Sequence, residues 1–200
     1  MGFINVKKKE VQIKIVYYGP GRGGKTTNLD YINKKYKQRI KTEMVSIKTH
    51  GDRTLFFDFL PVDIGKIHGF YIKIKLYTVP GQVKYNATRK LVLKGVDGIV
   101  FVADLQQERR DSNVKSLEQM KENLLSHNKD VFKIPLVLQY NKIDLKGQVP
   151  LLTVEEMESD LNRELKVPSF VASAVTGENV VDTLKKIISM TLISFRKELQ

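Results

Sequence analysis

The segment Gly19–Thr26 constrains the fold more than any other part of this sequence. It reads GPGRGGKT and satisfies the pattern G-x-x-x-x-G-K-S/T in full. An apolar, strand-like run (residues 11–18) precedes it, and a helix-like segment (residues 26–37) follows it. Strand, glycine-rich loop and helix in this order predict a phosphate-binding loop. Glycines let successive backbone N–H groups turn toward phosphate oxygens, and the N-terminus of the helix adds partial positive charge.

Two side chains at the end of this loop carry specific chemistry. We expect Lys25 to reach the β- and γ-phosphates and the Thr26 hydroxyl to ligate Mg²⁺. A glycine-rich turn without a ligand is the alternative, and the joint occurrence of strand, loop, Lys-Thr and helix argues against it. The residues of this segment and directly after it that we expect to contact the nucleotide are Gly19, Gly21, Gly23, Gly24, Lys25, Thr26 and Thr27.

Composition sets broad limits on the class of protein. The chain of 200 residues has no cysteine and no linker-like stretch, so we expect one domain over residues 1–200, without disulfides or lipidated cysteines. No apolar run approaches a membrane span, which predicts a soluble, cytoplasmic protein without an integral membrane segment. The net charge of +12 suggests nucleic acid or an anionic membrane as a partner. Since no basic motif of a known nucleic-acid module accompanies the charge, we interpret it as a solvated face and do not expect nucleic acid as a partner.

Strand-like and helix-like segments alternate along the rest of the chain. Continuous apolar runs at residues 98–103 and 135–138 are typical of central parallel strands, and two strand-like segments, 54–60 and 71–77, predict a hairpin. The pattern predicts an α/β fold: a mostly parallel sheet with one antiparallel edge and helices on both faces. Other expected elements are a strand at 167–172 and helices at 112–127, after the Thr153 capping box and at 180–198. In such sheets ligands bind outside the carboxyl ends of the strands.

Two later loops, each after a predicted strand, carry residues suited to a guanine base. In Asn141-Lys142-Ile143-Asp144, the Asp144 carboxylate can accept from both N1–H and the exocyclic amine of guanine, a donor pair that adenine lacks. Such polar complementarity rejects the wrong base by roughly 10⁴-fold. We expect Asn141 to tie this loop to the phosphate loop and the Lys142 stem to lie over the purine. Ser173 and Ala174 follow the last strand, where a backbone N–H would face the guanine O6.

The order and spacing of these three motifs resemble those of Ras-like small GTPases. Two longer segments, R-T-L-F-F-D-F at 53–59 and T-V-P-G-Q at 78–82, are similar to the MglA family, bacterial Ras-like small GTPases of cell polarity and gliding motility. The resemblance covers nearly the whole chain. It implies the P-loop NTPase fold in its Ras-like form, a G domain that binds GTP or GDP with Mg²⁺.

The resemblance also implies roles for residues that the spacing alone does not assign. Thr54 is expected to join Mg²⁺ when a γ-phosphate is present, and Arg53 to act as an internal arginine finger. Gly81 would donate its N–H to the γ-phosphate, and Gln82 would orient the attacking water. Thr78 departs from the D-x-x-G pattern of most small GTPases, in which an Asp orients a magnesium-bound water.

The departure at Thr78 removes a formal negative charge from the expected metal site. A threonine hydroxyl can still accept from the magnesium-bound water, but without that charge. We therefore expect weaker metal affinity, and the nearby Asp58 is a candidate to compensate.

These features predict a GTP-dependent molecular switch that slowly hydrolyses GTP to GDP and phosphate. Lys25, Gln82 and Arg53 are the expected catalytic residues, and Thr26 and Thr54 the expected metal ligands. The resemblance implies a roadblock-domain activating partner of the MglB kind, polarity effectors and recruitment of the GTP form to a cell pole. Two alternatives stay open: a guanine-nucleotide-binding scaffold with negligible hydrolysis, and a P-loop enzyme or nucleic-acid factor acting on another substrate.

Overall fold

The structure, a computed structural model, describes residues 3–5, 8–37, 44–47, 57–67, 69–81 and 85–198. Three residues with predicted roles, Arg53, Thr54 and Gln82, lie outside these ranges. The described strands are β1 (Phe3–Asn5), β2 (Glu10–Tyr18), β3 (Val45–Ile47), β4 (Phe57–Ile67), β5 (Phe70–Thr78), β6 (Gly98–Asp104), β7 (Leu136–Asn141) and β8 (Ser169–Ala172). The described α-helices are α1 (Lys25–Lys35), α2 (Asn86–Leu93), α3 (Arg110–Leu125), α4 (Val154–Met157) and α5 (Val180–Glu198).

Within the described ranges the strands form one sheet in the order β3-β4-β5-β2-β6-β7-β8, and β1 adds to β2. Strand β2 lies at the centre, parallel to β5 on one side and to β6 on the other. Strands β6, β7 and β8 continue the parallel part. The carboxyl ends of these parallel strands therefore meet at one edge of the sheet, as predicted for an α/β fold.

Helices cover both faces of this sheet, which explains the unbroken apolar runs in its central strands. All residues of β6 and β7 are buried. On one face α1 and α5 contribute Leu29, Ile32 and Leu184, and on the other α2 and α3 contribute Leu93 and Met120. The predicted fold class, a mostly parallel sheet with an antiparallel edge and helices on both faces, is confirmed. No described helix is long and apolar enough to cross a membrane.

The antiparallel edge is larger than the sequence pattern suggested. Strand β4 continues to Ile67, through residues that were expected to form the link of the hairpin, and pairs with β5 along its length. The reason is the alternation after residue 59: Leu60 and Val62 point into the core, which extends the strand period beyond the apolar run. The short strands β1 and β3 also pair antiparallel and were not predicted.

The predicted helices are close to the observed ones. Helix α5 spans the predicted range, and α1 and α3 begin one and two residues before the predicted starts. The capping box at Thr153 is present: the Thr153 side chain accepts from the Glu156 N–H, and the Glu156 carboxylate accepts from the Thr153 N–H. Helix α4 is short because the chain passes into a π-helical turn at Glu158–Asn162.

Candidate functional site

The predicted phosphate loop connects the central strand β2 to the N-terminus of α1. Lys25 is the first residue of the helix and is 7% exposed. Its Nζ folds back over the loop and donates to the carbonyl oxygens of Gly19 at 3.0 Å and Pro20 at 2.6 Å. The loop is therefore curled around the lysine ammonium, which lies at the edge where the parallel strands end.

The N-terminus of α1 is open to an anion. Gly24 precedes the helix in a left-handed conformation (φ 97°), and among the described residues no side chain caps the helix or places an acid in its first turn. The first N–H groups of a helix have no partner within the helix, and they carry the positive end of its dipole. A cradle of this kind suits a phosphate.

Burial and neighbouring cations weaken the proton affinity of Lys25. Burial is the main cause that lowers its pKa, to about 7, and the guanidinium groups of Arg89 and Arg109 lower it further, whereas the Asp58 carboxylate opposes them. An anion placed in the cradle would favour the protonated form. A negatively charged ligand would therefore offset the cost of keeping the Lys25 ammonium charged in this buried position.

Three oxygen-bearing side chains converge beside Lys25. The Thr26 hydroxyl donates to Asp58 Oδ2 at 2.6 Å, and the Thr78 hydroxyl donates to the same oxygen at 2.9 Å. Thr78 Oγ1 also accepts from the Asp58 N–H at 2.8 Å. Asp58 therefore places a carboxylate beside both Thr26 and Thr78, and its compensation for the missing acid at Thr78 stays a prediction. Hydroxyl and carboxylate oxygens are the ligands that Mg²⁺ prefers.

Asn141, at the end of β7, joins three loops of the site. Its Nδ2 donates to the Gly23 carbonyl at 2.8 Å, and its Oδ1 accepts from the Ala174 N–H at 2.8 Å. A Cβ on Gly24 would overlap the same amide nitrogen, so this glycine makes the close approach possible. The phosphate loop, the Asn141–Asp144 loop and the loop after β8 are thereby fixed relative to one another.

Asp144 presents an acceptor that has no donor. Its Oδ1 is shielded from solvent and forms no hydrogen bond within the described part of the chain. Leaving a buried carboxylate oxygen unsatisfied is costly, so such an oxygen indicates a missing partner. Lys142, by contrast, is engaged: its Nζ lies 2.6 Å from Asp104 Oδ2 and donates to Gln106 Oε1 at 2.9 Å.

An open cavity of about 620 Å³ lies beside these loops, within the usual range for a small-molecule site. Two predicted nucleotide contacts, Thr27 and Ala174, line it. The loop that carries Ala174 is held in shape by Ser173, whose carbonyl accepts from the Gly177 N–H at 2.8 Å and whose hydroxyl accepts from the Thr176 N–H at 3.1 Å. The wall of the cavity that the loop after β8 forms is therefore held in shape by these hydrogen bonds.

Gly81 packs directly on the phosphate loop. A Cβ at this position would overlap the backbone N and Cα of Gly21. Gly81 therefore lies against the phosphate loop, and the contact of its N–H with the γ-phosphate stays a prediction. Thus the structure brings together the predicted residues of the phosphate loop, Gly81, Asn141, Lys142, Asp144, Ser173 and Ala174.

Two buried or half-buried arginines near the site were not anticipated. Arg89 in α2 is 1% exposed, and Arg109, just before α3, donates from Nη2 to the Gly21 carbonyl at 2.7 Å. A helical pattern normally places arginine in solvent, so neither residue gives a local signal. The contact of Arg109 depends on two strands being neighbours, which the spacing of residues cannot show.

Comparison with known proteins agrees with this geometry. The sequence profile of the Ras family matches residues 14–192. The chain is 52% identical to the mutual gliding-motility protein MglA of Myxococcus xanthus, over 98% of this chain and 99% of that protein. It is 25% identical to the Ras-related protein Rab-27B of Rattus norvegicus, over 92% of this chain and 82% of that protein. It is also 30% identical to the Ras-related protein SEC4 of Saccharomyces cerevisiae, over 61% of this chain and 54% of that protein.

Because Asn141 bridges two loops, its replacement should destabilise the fold. In Asn141→Ala the Gly23 carbonyl and the Ala174 N–H lose their buried partner, and we expect the free energy of unfolding to fall by about 3 kcal/mol. Gln148→Ala is the control, since the exposed Gln148 makes one long bond to the Asp144 carbonyl, at 3.3 Å; we expect a change within about 0.5 kcal/mol. Urea unfolding of the nucleotide-free variants measures both, and equal losses would contradict the bridging role.

Proposed function

The chain belongs to the Ras family and hydrolyses GTP, and we propose that it is a molecular switch with slow hydrolysis, whose loops change conformation when the γ-phosphate is lost. The site combines a phosphate cradle, the base loop Asn141–Asp144 and, beside them, a cavity between α1 and the loop after β8. We propose that the base of a nucleoside triphosphate lies at one end of this site and its γ-phosphate at the other.

The unsatisfied Oδ1 of Asp144 is the observation that supports guanine as the base. Guanine offers two donors on one edge, N1–H and the exocyclic amine, and a carboxylate accepts both in a charge-assisted pair. Adenine presents an acceptor at N1, which would face the carboxylate unfavourably. The loop of Ser173 and Ala174 would complete the pocket on the O6 side.

The phosphate end would be held by Lys25, the loop N–H groups and Mg²⁺. Thr26, Asp58 and Thr78 fit a magnesium ion: both hydroxyls lie within hydrogen-bond distance of the same oxygen of Asp58. We propose that Thr26 ligates the ion directly and that Asp58 supplies the negative charge that Thr78 lacks, with Thr54 as a further ligand. When bound, Mg²⁺ neutralises charge on the β- and γ-phosphates.

Hydrolysis would depend on positioning and electrostatics. We propose that Gly81 donates to the γ-phosphate, that Gln82 orients the attacking water and that Arg53 stabilises the charge that develops on the phosphoryl oxygens. Lys25 would hold oxygens of the β- and γ-phosphates. Since the γ-phosphate connects these groups, its loss would release the segments around residues 42–61 and 78–92.

The cellular role is proposed from similarity to a protein named for mutual gliding motility. We propose that this chain controls motility or polarity through effectors that bind its GTP form. A roadblock-domain protein of the MglB kind would set the switch residues and accelerate turnover, and the GTP form would collect at a cell pole.

Replacing one carboxylate oxygen of Asp144 by an amide NH₂ group tests the proposed base specificity. In Asp144→Asn the amide can donate to the O2 carbonyl of xanthine but cannot accept both guanine donors. We expect GDP affinity to fall by at least about 100-fold and xanthosine diphosphate to become the preferred ligand. The exposed Asp182→Asn in α5 is the control. Fluorescent-nucleotide titration measures the preference, and retained guanine preference in Asp144→Asn would rule out the assigned pocket.

The lowered pKa of Lys25 makes nucleotide affinity depend on pH. The free protein loses the Lys25 proton as the pH rises through about 7, whereas the bound phosphates raise that pKa, so binding above pH 7 takes up a proton. We expect GDP affinity to decrease by up to about tenfold per pH unit between about pH 7.5 and 9. Calorimetry in buffers of different ionisation enthalpy would detect the proton uptake.

Two variants separate Lys25 from other titrating groups. Lys25→Met should bind more weakly and lose the proton uptake, whereas Lys115→Met, at an exposed position of α3, should keep it. Proton uptake that persists in Lys25→Met would show that another group is responsible.

Replacing Asp58 tests its part in the metal site. We expect Asp58→Asn to raise the Mg²⁺ concentration needed for half-maximal GTP retention by about 10- to 100-fold. Asp63→Asn, on the same strand but bonded to the Gly65 N–H, should leave the Mg²⁺ profile unchanged. Measuring GTP release against Mg²⁺ distinguishes the two, and an unaltered profile in Asp58→Asn would refute the compensation.

A further inference from the structure

Arg109 contacts the phosphate loop from outside the predicted motifs. It ends a short 3₁₀ turn, Gln107–Arg109, that follows β6. Its Nη2 donates to the Gly21 carbonyl at 2.7 Å, and its side chain is 28% exposed. Gly21 lies in the middle of the loop, so this bond acts on the part of the backbone that would face the phosphates.

The arginine is itself firmly placed. Its Nε lies 3.9 Å from Oδ2 of Asp104, which is fully buried. The backbone N–H of Arg109 donates to the Gln106 carbonyl at 2.8 Å. Asn113 holds the backbone of Asp104 on both sides: Oδ1 accepts from the Asp104 N–H at 2.9 Å and Nδ2 donates to the Asp104 carbonyl at 2.8 Å. The guanidinium therefore reaches the loop from a rigid support.

Holding the Gly21 carbonyl also fixes the next N–H. The peptide between Gly21 and Arg22 is planar and trans, so its C=O and N–H point in opposite directions. With the carbonyl aimed at Arg109, the Arg22 N–H is aimed away from it, toward the other side of the loop. A charged donor on the carbonyl polarises the peptide and makes that N–H a stronger donor.

Arg22 needs such a restraint because its backbone is strained. It adopts a left-handed conformation with φ 63°, although it is not a glycine. Non-glycine residues adopt this conformation rarely and keep it only when the surroundings hold them there. Without the bond from Arg109, rotation of the Gly21–Arg22 peptide would relieve the strain and turn the N–H away from the nucleotide.

We propose that Arg109 is a positioning residue of GTP hydrolysis, which holds the Gly21 carbonyl so that the Arg22 N–H is aimed at the terminal phosphates. The inference rests on the proposed role of Gly19–Thr26 as the phosphate loop. Arg109 acts through this peptide rather than by touching the nucleotide. Because Gly81 packs on Gly21, a shift of the peptide would also disturb the predicted γ-phosphate contact.

The test compares two neighbouring arginines. Arg109→Ala removes the bond to Gly21, whereas Arg110→Ala removes surface ion pairs to Asp160 and Glu156. At saturating GTP and Mg²⁺ we expect single-turnover hydrolysis to fall about 10- to 100-fold in Arg109→Ala, the range for loss of a charged hydrogen bond, and less than threefold in Arg110→Ala. Arg109→Lys, which keeps a charged donor, should recover part of the rate.

A second substitution at Arg22 separates positioning from a general loss of structure. Glycine adopts φ > 0 without strain, so Arg22→Gly in the Arg109→Ala background should restore the rate at least about threefold. The temperature midpoint of unfolding should remain that of Arg109→Ala within about 2 °C. If Arg109→Ala does not fold, Arg109→Gln, which is neutral, polar and too short to reach the Gly21 carbonyl from the same backbone position, takes its place with the same expectations.

The outcomes distinguish this inference from the proposed function. If the natural protein neither binds nor hydrolyses GTP, the proposed function fails. If the natural protein and Arg110→Ala hydrolyse GTP and Arg109→Ala matches them, only the positioning role is overturned. It is also overturned if the rate loss in Arg109→Ala is insensitive to Arg22→Gly and parallels a loss of stability.

Discussion

The geometry of the site depends on the hydrogen bonds that the side-chain amide of Asn141 forms with two other loops. The amide bonds to Gly23, which is 118 residues away in the chain, and to Ala174 on a third loop. The glycine at position 24 permits the approach, since a side chain there would occupy the space of the amide. Two short motifs that look independent in the sequence are thus parts of one contact. Because the contact is buried and its bonds are satisfied, the distance between the base loop and the phosphate cradle is set before a ligand binds.

The charges around the phosphate loop explain why a site of this kind favours a polyanion. Lys25 is buried, and Arg89 and Arg109 are close enough to lower its pKa. Among like charges, a buried ammonium is unfavourable unless a counter-charge is near. Asp104 pairs with Arg109 and Lys142, and the Asp58 carboxylate only partly opposes the lowering of the Lys25 pKa. Nucleotide binding therefore relieves repulsion as well as forming contacts, and it should stabilise the folded protein by mass action.

The sequence predicted the features of the fold and the site that depend on residues close together in the chain. The loop from Gly19 to Thr26, the capping box at Thr153 and the helix at 180–198 follow local patterns, and the structure has them in those places. The bond between Arg109 and Gly21 spans 88 residues and depends on β6 lying next to β2. No local pattern marks it, because an arginine after a strand is usually solvated. The short strands β1 and β3 have three residues each, too few for a periodicity to appear.

In the proposed metal site, Asp58 carries the negative charge that Thr78 lacks. Asp58 and Thr78 face each other across the hairpin of β4 and β5, and each bonds to the other. Phe59 pairs with Tyr77 in the same register, so a shift of one residue would turn the Asp58 carboxylate to the opposite face of the sheet. The burial of Leu60 and Val62 in the core fixes that register. The apolar side chains of the hairpin therefore determine where the Asp58 carboxylate lies beside Thr26. Strand β4, which is longer than the sequence suggested, holds this register.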